Sequence, residues 1–323
     1  NKKTYLKNCL ESLLAQTYRP VEIIVVDNGS EDGSLDMLKE RFGRVKLISN
    51  RSNALYCRAQ NQGIGAAQGD YIICLNNDVV LEKDFVQKLA ESAGIDRKIG
   101  MVCGKILLMD KTTLDSAGQI LGRARKPVER GYKQRDRGLY NQPGYVFSAG
   151  GVAPLYKRRM LEDIWVNGQY FDESYGMFYE DLDIAWRANS LGWRGFYNPQ
   201  GIAYHHRGGT AKTGQPRLNI LKRYDFTYLP PELKTRLVKN RYMTILKNDC
   251  LKDVLINLPW IIGYEIKLWA YLVIFHPRLT IKIVNELFRQ SKDAYKKRRE
   301  IKRLGIWKKQ NSSISTGRYL PGD

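Results

Sequence analysis

The sequence predicts an α/β protein: a mainly parallel sheet flanked by helices, followed by a C-terminal helical extension. Between residues 4 and 108, short apolar runs alternate with segments of helical period, the pattern of strands joined by crossover helices. One run, Tyr71-Ile72-Ile73-Cys74-Leu75, has no polar alternation, as suits a strand covered on both faces. From about residue 230 onward the period is helical throughout. The 323 residues divide into 1–225 as the α/β domain, 226–310 as a basic helical extension and 311–323 as a disordered tail.

In chain order, Leu6, Leu10, Leu13 and Leu14 set a helix over 4–17, ended by Pro20. A strand follows at 21–26, broken by Asp27-Asn28-Gly29-Ser30. Next come a helix at 33–42, a strand at 45–48, a helix at 57–67, the strand at 71–75, a helix at 82–92 and a strand at 100–108. The chain starts directly on a helix where α/β units usually start on a strand, so a first strand is expected to be missing. Residues 110–145 show no period, and so long a stretch inside a compact domain is usually functional or disordered. Apolar residues return at 146–156, then a short helix at 157–163. A further helix starts at Glu180 and ends near Gly192, followed by strand-like segments at 195–197 and 202–206 and a Gly-containing loop at 207–216.

The net charge of +20 is uneven. Residues 201–323 carry 25 Lys and Arg against nine Asp and Glu, whereas residues 1–200 are close to neutral. A basic tail on a neutral body points to an anionic surface and away from a nucleic-acid groove in the core. The five cysteines are scattered, which fits a reducing compartment. There is no signal peptide and no uninterrupted run of 18 apolar residues.

The candidate chemistry sits at element ends. Asn76-Asn77-Asp78 ends the apolar strand, where open α/β sheets bind ligands, and a polar turn is the plain alternative. Asp27 stands at an earlier strand end, as a turn former or as a carboxylate for a nucleotide base or ribose. Glu180-Asp181 opens a helix behind Phe178 and Tyr179, and a carboxylate beside aromatic walls can act as a general base. Asp183 reads as an i, i+4 partner of Arg187. His205-His206 ends an apolar segment, as a structural pair or as metal ligands.

Together these residues resemble the family 2 glycosyltransferases, inverting nucleotide-sugar-dependent enzymes with a GT-A fold. The resemblance spans roughly residues 1–210. It rests on Cys9–Thr17, Val25–Ser30, Leu75–Val79, Phe171-Asp172-Glu173 with Tyr179–Asp183, and Tyr204-His205-His206, in that order. It implies that Asp27, Asn76 and Asn77 hold the nucleotide, and that Asp78 and His205 bind a divalent metal, Mg²⁺ or Mn²⁺, with His206 as the fallback ligand. Asp181 would be the catalytic base, with Glu180 beside it. Asn76 stands where many members carry Asp, a variant similar to the bacterial rhamnosyltransferase-like branch.

The reading is an enzyme moving a sugar from a UDP- or dTDP-linked donor to a glycan or lipid-linked glycan in cell-surface polysaccharide synthesis. Loop 207–216 would close over the donor. Residues 251–288 are either a helical cap or an interfacial helix pair that brings the protein to an anionic membrane surface. The second reading places it in the cytoplasm, peripheral on the inner face of the cell membrane. The alternatives are a sugar nucleotidylyltransferase and a basic nucleic-acid-binding protein. The second gives no reason for carboxylates at the ends of core elements, and no nucleic-acid partner is expected.

Overall fold

A computed structural model describes residues 2–207 and 229–305; the expected lid at 207–216 (beyond Arg207 itself) and the expected tail at 311–323 lie outside the described residues. The first half alternates as the sequence predicts: α1 (Lys3–Leu14), β1 (Ile24–Asp27), α2 (Ser34–Arg41), β2 (Lys46–Ser49), α3 (Tyr56–Ala66) and β3 (Tyr71–Ile73). A strand that the sequence reading passed over, β4 (Val79–Leu81), then precedes α4 (Phe85–Ile95) and the long β5 (Ile99–Leu108). Residues 110–145, which show no period and read as functional or disordered, hold β6 (Leu114–Ser116), β7 (Gln119–Leu121), β8 (Pro127–Glu129) and the start of β9 (Gly144–Val146). Strands of three residues are too short to show an alternation, so their period was invisible. The domain continues through β10 (Leu155–Lys157), α5 (Arg158–Asp163), α6 (Glu180–Ser190) and β11 (Arg194–His205). The last of these joins the two predicted segments at 195–197 and 202–206 across a register shift between Asn198 and Ile202.

The sheet is mixed. β1–β2 and β5–β11 pair in parallel, as expected. The pairings of β10 with β3 and β5, of β11 with β4 and β9, of β5 with β6 and of β7 with β8 are antiparallel. The difference arises because β4, β6, β8, β9 and β10 arrive through loops and hairpins, and only a crossover helix returns a strand in the parallel sense. Among the described strands β1 pairs only with β2, and β3 only with β10, and both line one cleft.

The core is apolar and tightly filled. Trp186, Tyr156, Phe85 and Phe147 are among its largest fully buried side chains. At Gly104 the backbones of β5 and β11 meet so closely that a Cβ would lie 2.1 Å from the Gly201 carbonyl oxygen, so only glycine fits.

The C-terminal extension is helical as predicted: α7 (Pro231–Asn248), α8 (Leu251–Ile256), α9 (Leu258–Phe275) and α10 (Pro277–Arg303). Both readings of residues 251–288 find support in different faces. Leu268, Tyr271 and Leu272 of α9 pack with Val238 of α7 and Ile283 of α10. Leu251, Leu255, Ile262, Ile266, Val273 and Ile274 are exposed. The 18 residues of α9 are long and apolar enough to cross a membrane by length and composition, although Glu265 and Lys267 interrupt them.

Candidate active site

A cavity of about 830 Å³ runs from the apolar cleft between β1 and β3 to the polar ends of β3, β4 and α6. Asn76, Asn77, Asp78, His205, Glu180 and Asp181 all line it, so the folded chain gathers residues that lie far apart in sequence. The register of β4 on β11, His205 opposite Val79, sets Asp78 beside the histidine. The His206 backbone N–H also donates to the Asp78 carbonyl oxygen at 2.9 Å.

The His205 ring spans two carboxylates: Nε2 lies 3.2 Å from Asp78 Oδ1, and Nδ1 lies 2.7 Å from Asp115 Oδ2. Burial lowers the His205 pKa, but the hydrogen bonds to Asp115 and Asp78 outweigh it and hold the imidazole above its ordinary value. The ring of His206 goes elsewhere and packs on Tyr5 at 4.6 Å between centroids. Of the two histidines, His205 is the one whose side chain meets Asp78. The pair fits a divalent cation. Neighbouring ligands at about 2.0–2.1 Å on an octahedral ion stand about 3 Å apart, close to the observed separation of Nε2 and Oδ1. The carboxylate suits Mg²⁺ or Mn²⁺, and the imidazole beside it favours the transition ion Mn²⁺ of the two.

Asp27 takes the turn role that the sequence left open: its Oδ2 accepts from the Gly29 and Ser30 N–H groups, both at 3.0 Å. Asn28, its neighbour, lines the cavity, as do Asn76 and Asn77.

Glu180 and Asp181 start α6 immediately after Phe178 and Tyr179, whose φ angles of 69° and 71° lie in the left-handed region. Non-glycine residues there are strained, and such strain persists where surrounding contacts hold it. Here Asn240 of α7 donates from its Nδ2 to the carbonyls of Met177 and Phe178, both at 2.8 Å. Asp181 faces the cavity with Oδ1 accepting from the Leu182 N–H at 2.8 Å and Oδ2 from Gln119 Nε2 at 2.8 Å. Gly151 lies against this carboxylate, and a Cβ there would come within 3.4 Å of Oδ2. Burial raises the pKa of both acids, and at Glu180 the charge of Asp181 adds to it. Glu180 Oε2 is buried without a hydrogen-bond partner among the described residues.

Sequence reasoning missed Asp115, Gln119 and Glu129, all carried by the short strands β6–β8. Gln119 Nε2 bridges Asp181 and Glu129, the latter at 2.6 Å, and Glu129 Oε2 accepts from Ser116 Oγ at 2.5 Å. Burial pushes the Glu129 carboxyl up to about 7. The available signal was the apolar–turn–apolar run from Gln119 through Gly122 to Glu129, which closes as the β7–β8 hairpin.

Comparison with known proteins adds the family. The profile for glycosyl transferase family 2 matches residues 1–165, half of the chain. The poly-β-1,6-N-acetyl-D-glucosamine synthase of Staphylococcus aureus is 29% identical over 209 residues, which cover 63% of this chain and 47% of that protein. The chain thus spans about half the length of the curated relative it matches. Among solved structures, GalNAc-T7 with UDP, GalNAc and Mn²⁺ aligns with a TM-score of 0.55 at 15% identity, covering 76% of this chain and 46% of that one. The mannosyltransferase PcManGT from Pyrobaculum calidifontis, in complex with GDP-Man and Mn²⁺, aligns at 0.52 and 12% identity, covering 97% and 85%. At such identities the likeness is one of fold, and it is the GT-A fold expected from the sequence.

Proposed function

The chain belongs to glycosyl transferase family 2, and from that premise we propose that it transfers a sugar from a nucleotide diphosphate to a glycan or lipid-linked glycan hydroxyl, with inversion. The observation that carries this reading is one cavity bordered by a cation-fitting pair, Asp78 and His205, and by two acids without a cation partner among the described residues, buried Glu180 and half-buried Asp181. Asp78 and His205 would hold the divalent metal, Asn76 and Asn77 would lie along the nucleotide with Asn28, and Asp27 would act through the turn that it closes beside Asn28. Such a cation supplies positive charge to the diphosphate as the sugar leaves.

Asp181 accepts the proton of the acceptor hydroxyl. The acceptor oxygen bonds to the anomeric carbon as the bond to the diphosphate oxygen breaks, and the electron pair departs with the nucleotide. The fixed hydrogen bonds from Leu182 N–H and Gln119 hold the carboxylate ready, so little reorganisation is needed during reaction. One carboxylate beside a neutral Asn76 binds a metal weakly alone, so metal and donor enter together. Calorimetry should show Mn²⁺ affinity rising with UDP or dTDP present; equal affinity without nucleotide would count against this.

The donor is a UDP- or dTDP-linked sugar. An N-acetylhexosamine is favoured by the name of the staphylococcal relative, and a deoxyhexose by Asn76. A hydrolysis screen across both classes with Mn²⁺ and with Mg²⁺ tests the assignment, and turnover of none would refute it.

The exposed apolar stripe of α8 and α9 supports a membrane-bound acceptor. Leu251, Leu255, Ile262 and Ile266 recur at helical spacing, beside exposed Lys252, Lys267, Arg278 and Lys282. Apolar residues rimmed by lysine and arginine suit an anionic bilayer surface, here the cytoplasmic face. Flotation with vesicles containing anionic lipid should fall when Ile262 and Ile266 are changed to Glu; unchanged flotation would remove the membrane from the reading.

A further inference from the structure

Asp115 has no counterpart among the residues that the sequence singled out. It lies on β6, fully buried, with both carboxylate oxygens engaged. Oδ2 meets His205 Nδ1 at 2.7 Å, and Oδ1 accepts from Arg207 Nε. Strand β5 registers with both β6 and β11, which is how an acid from the hairpin region reaches the histidine at the end of β11.

We infer that Asp115 is the residue that positions His205 for cation binding: it holds the Nδ1 proton at 2.7 Å, the shorter of the two carboxylate contacts of the ring, and leaves Nε2, 3.2 Å from Asp78 Oδ1, as the nitrogen whose lone pair a cation would take. The inference rests on the metal reading above and assigns a new residue to it. A carboxylate can only accept, so its partner on the ring must donate. With Nδ1 committed as donor, Nε2 is the nitrogen left to bind an ion, and the negative charge behind the ring raises its basicity. Arg207 takes the other oxygen and keeps the carboxylate from rotating away. The guanidinium is itself stacked over the Tyr132 ring at 4.6 Å.

This arrangement makes an unusual forecast for the isosteric change Asp115→Asn. Arg207 can only donate, so it holds the amide oxygen and leaves the NH₂ facing His205. Nδ1 must then accept, the proton moves to Nε2, and the ligand lone pair is lost. The chain has only three histidines, His205, His206 and His276, so ¹⁵N-histidine NMR can read each ring. At a pH where the rings are neutral, the wild type should show His205 protonated on Nδ1, and Asp115→Asn should show it protonated on Nε2.

In parallel, electron paramagnetic resonance of Mn²⁺ with UDP or dTDP should report binding about 10–100-fold weaker in the variant. Circular dichroism melting checks that both proteins are folded. If the variant keeps the Nδ1 proton, or binds Mn²⁺ as tightly as the wild type, Asp115 does not position the ligand. If the wild type itself binds no Mn²⁺ with either nucleotide, the metal reading fails, and the NMR arm still decides what Asp115 does to the ring. Should Asp115→Asn not fold, Arg207→Met offers the same test from the other side. Freed from Arg207, the carboxylate still demands a donor, so the Nδ1 proton should remain, and its loss would overturn the inference.

Discussion

Four acids close together in sequence, Asp172, Glu180, Asp181 and Asp183, sit in opposite electrostatic settings. Asp172 receives Lys247 at 2.6 Å and Lys297 at 2.8 Å. Asp183 receives Lys247 at 2.9 Å and Arg187 at 3.0 Å, with Asn248 donating at 2.7 Å. Burial raises their pKa, but the cations overcome it and hold both carboxyls below the ordinary range. Glu180 and Asp181 start the helix that carries Asp183, the first buried and the second half-buried at the cavity wall, and there desolvation wins. The comparison separates two uses of an acid. Those given cations tie α7 and α10 to the domain, and those left without them are available for proton transfer. A raised pKa at a cavity wall is informative because Asp183, on the same helix, and nearby Asp172 show what neutralisation looks like.

Asp181→Asn should cut transfer about 10²–10⁴-fold, the usual worth of a general base, while UDP or dTDP binding and the melting temperature hold. Transfer retained in that variant would erase the distinction between the pairs. On the other side, Lys247→Met leaves two buried carboxylates short of a cation and should cost about 3–5 kcal/mol of stability, read by denaturant unfolding. A loss well under 1 kcal/mol would mean that the cations do not account for the lowered pair.

The pH dependence should divide the same way. As pH falls through the raised pKa of Asp181 the base is protonated, so the acid limb of kcat/KM lies above the ordinary carboxylate value of about 3.9. The lowered Asp172 and Asp183 stabilise the fold above that value, and this stability is lost as pH falls below it. Activity should therefore disappear in acid before the fold does; simultaneous loss would contradict the assignment. The smallest effect concerns Glu129, pushed up to about 7 by burial. Its unfolded form ionises near 4.3, so stability declines as pH rises from there to about 7. Glu129→Gln should flatten that slope in melts across the range.

The legible part of this site was carried by strand ends and helix starts. Asp78 followed a five-residue apolar run and Asp181 followed two aromatics, and both signals exist within a short window of sequence. The i, i+4 pairing of Asp183 with Arg187 was legible for the same reason, and the structure shows it. Asp115, Gln119 and Glu129 were not, because they lie on three-residue strands whose identity depends on pairing with distant partners. The tail gave helices but not their faces: a lysine such as Lys247 reads as solvated in sequence, and only packing against Asp172 and Asp183 shows that it is buried.

Asn240 draws the practical boundary of this protein. Its side chain holds the carbonyls of the left-handed turn that launches α6, and it belongs to α7, beyond the point where the α/β pattern of the sequence ends. A shortened form stopping at residue 225 would therefore delete a support of the turn that presents Glu180 and Asp181 to the cavity, along with the exposed apolar faces of α8 and α9. Changing the exposed apolar side chains of α8 and α9 instead leaves that support in place.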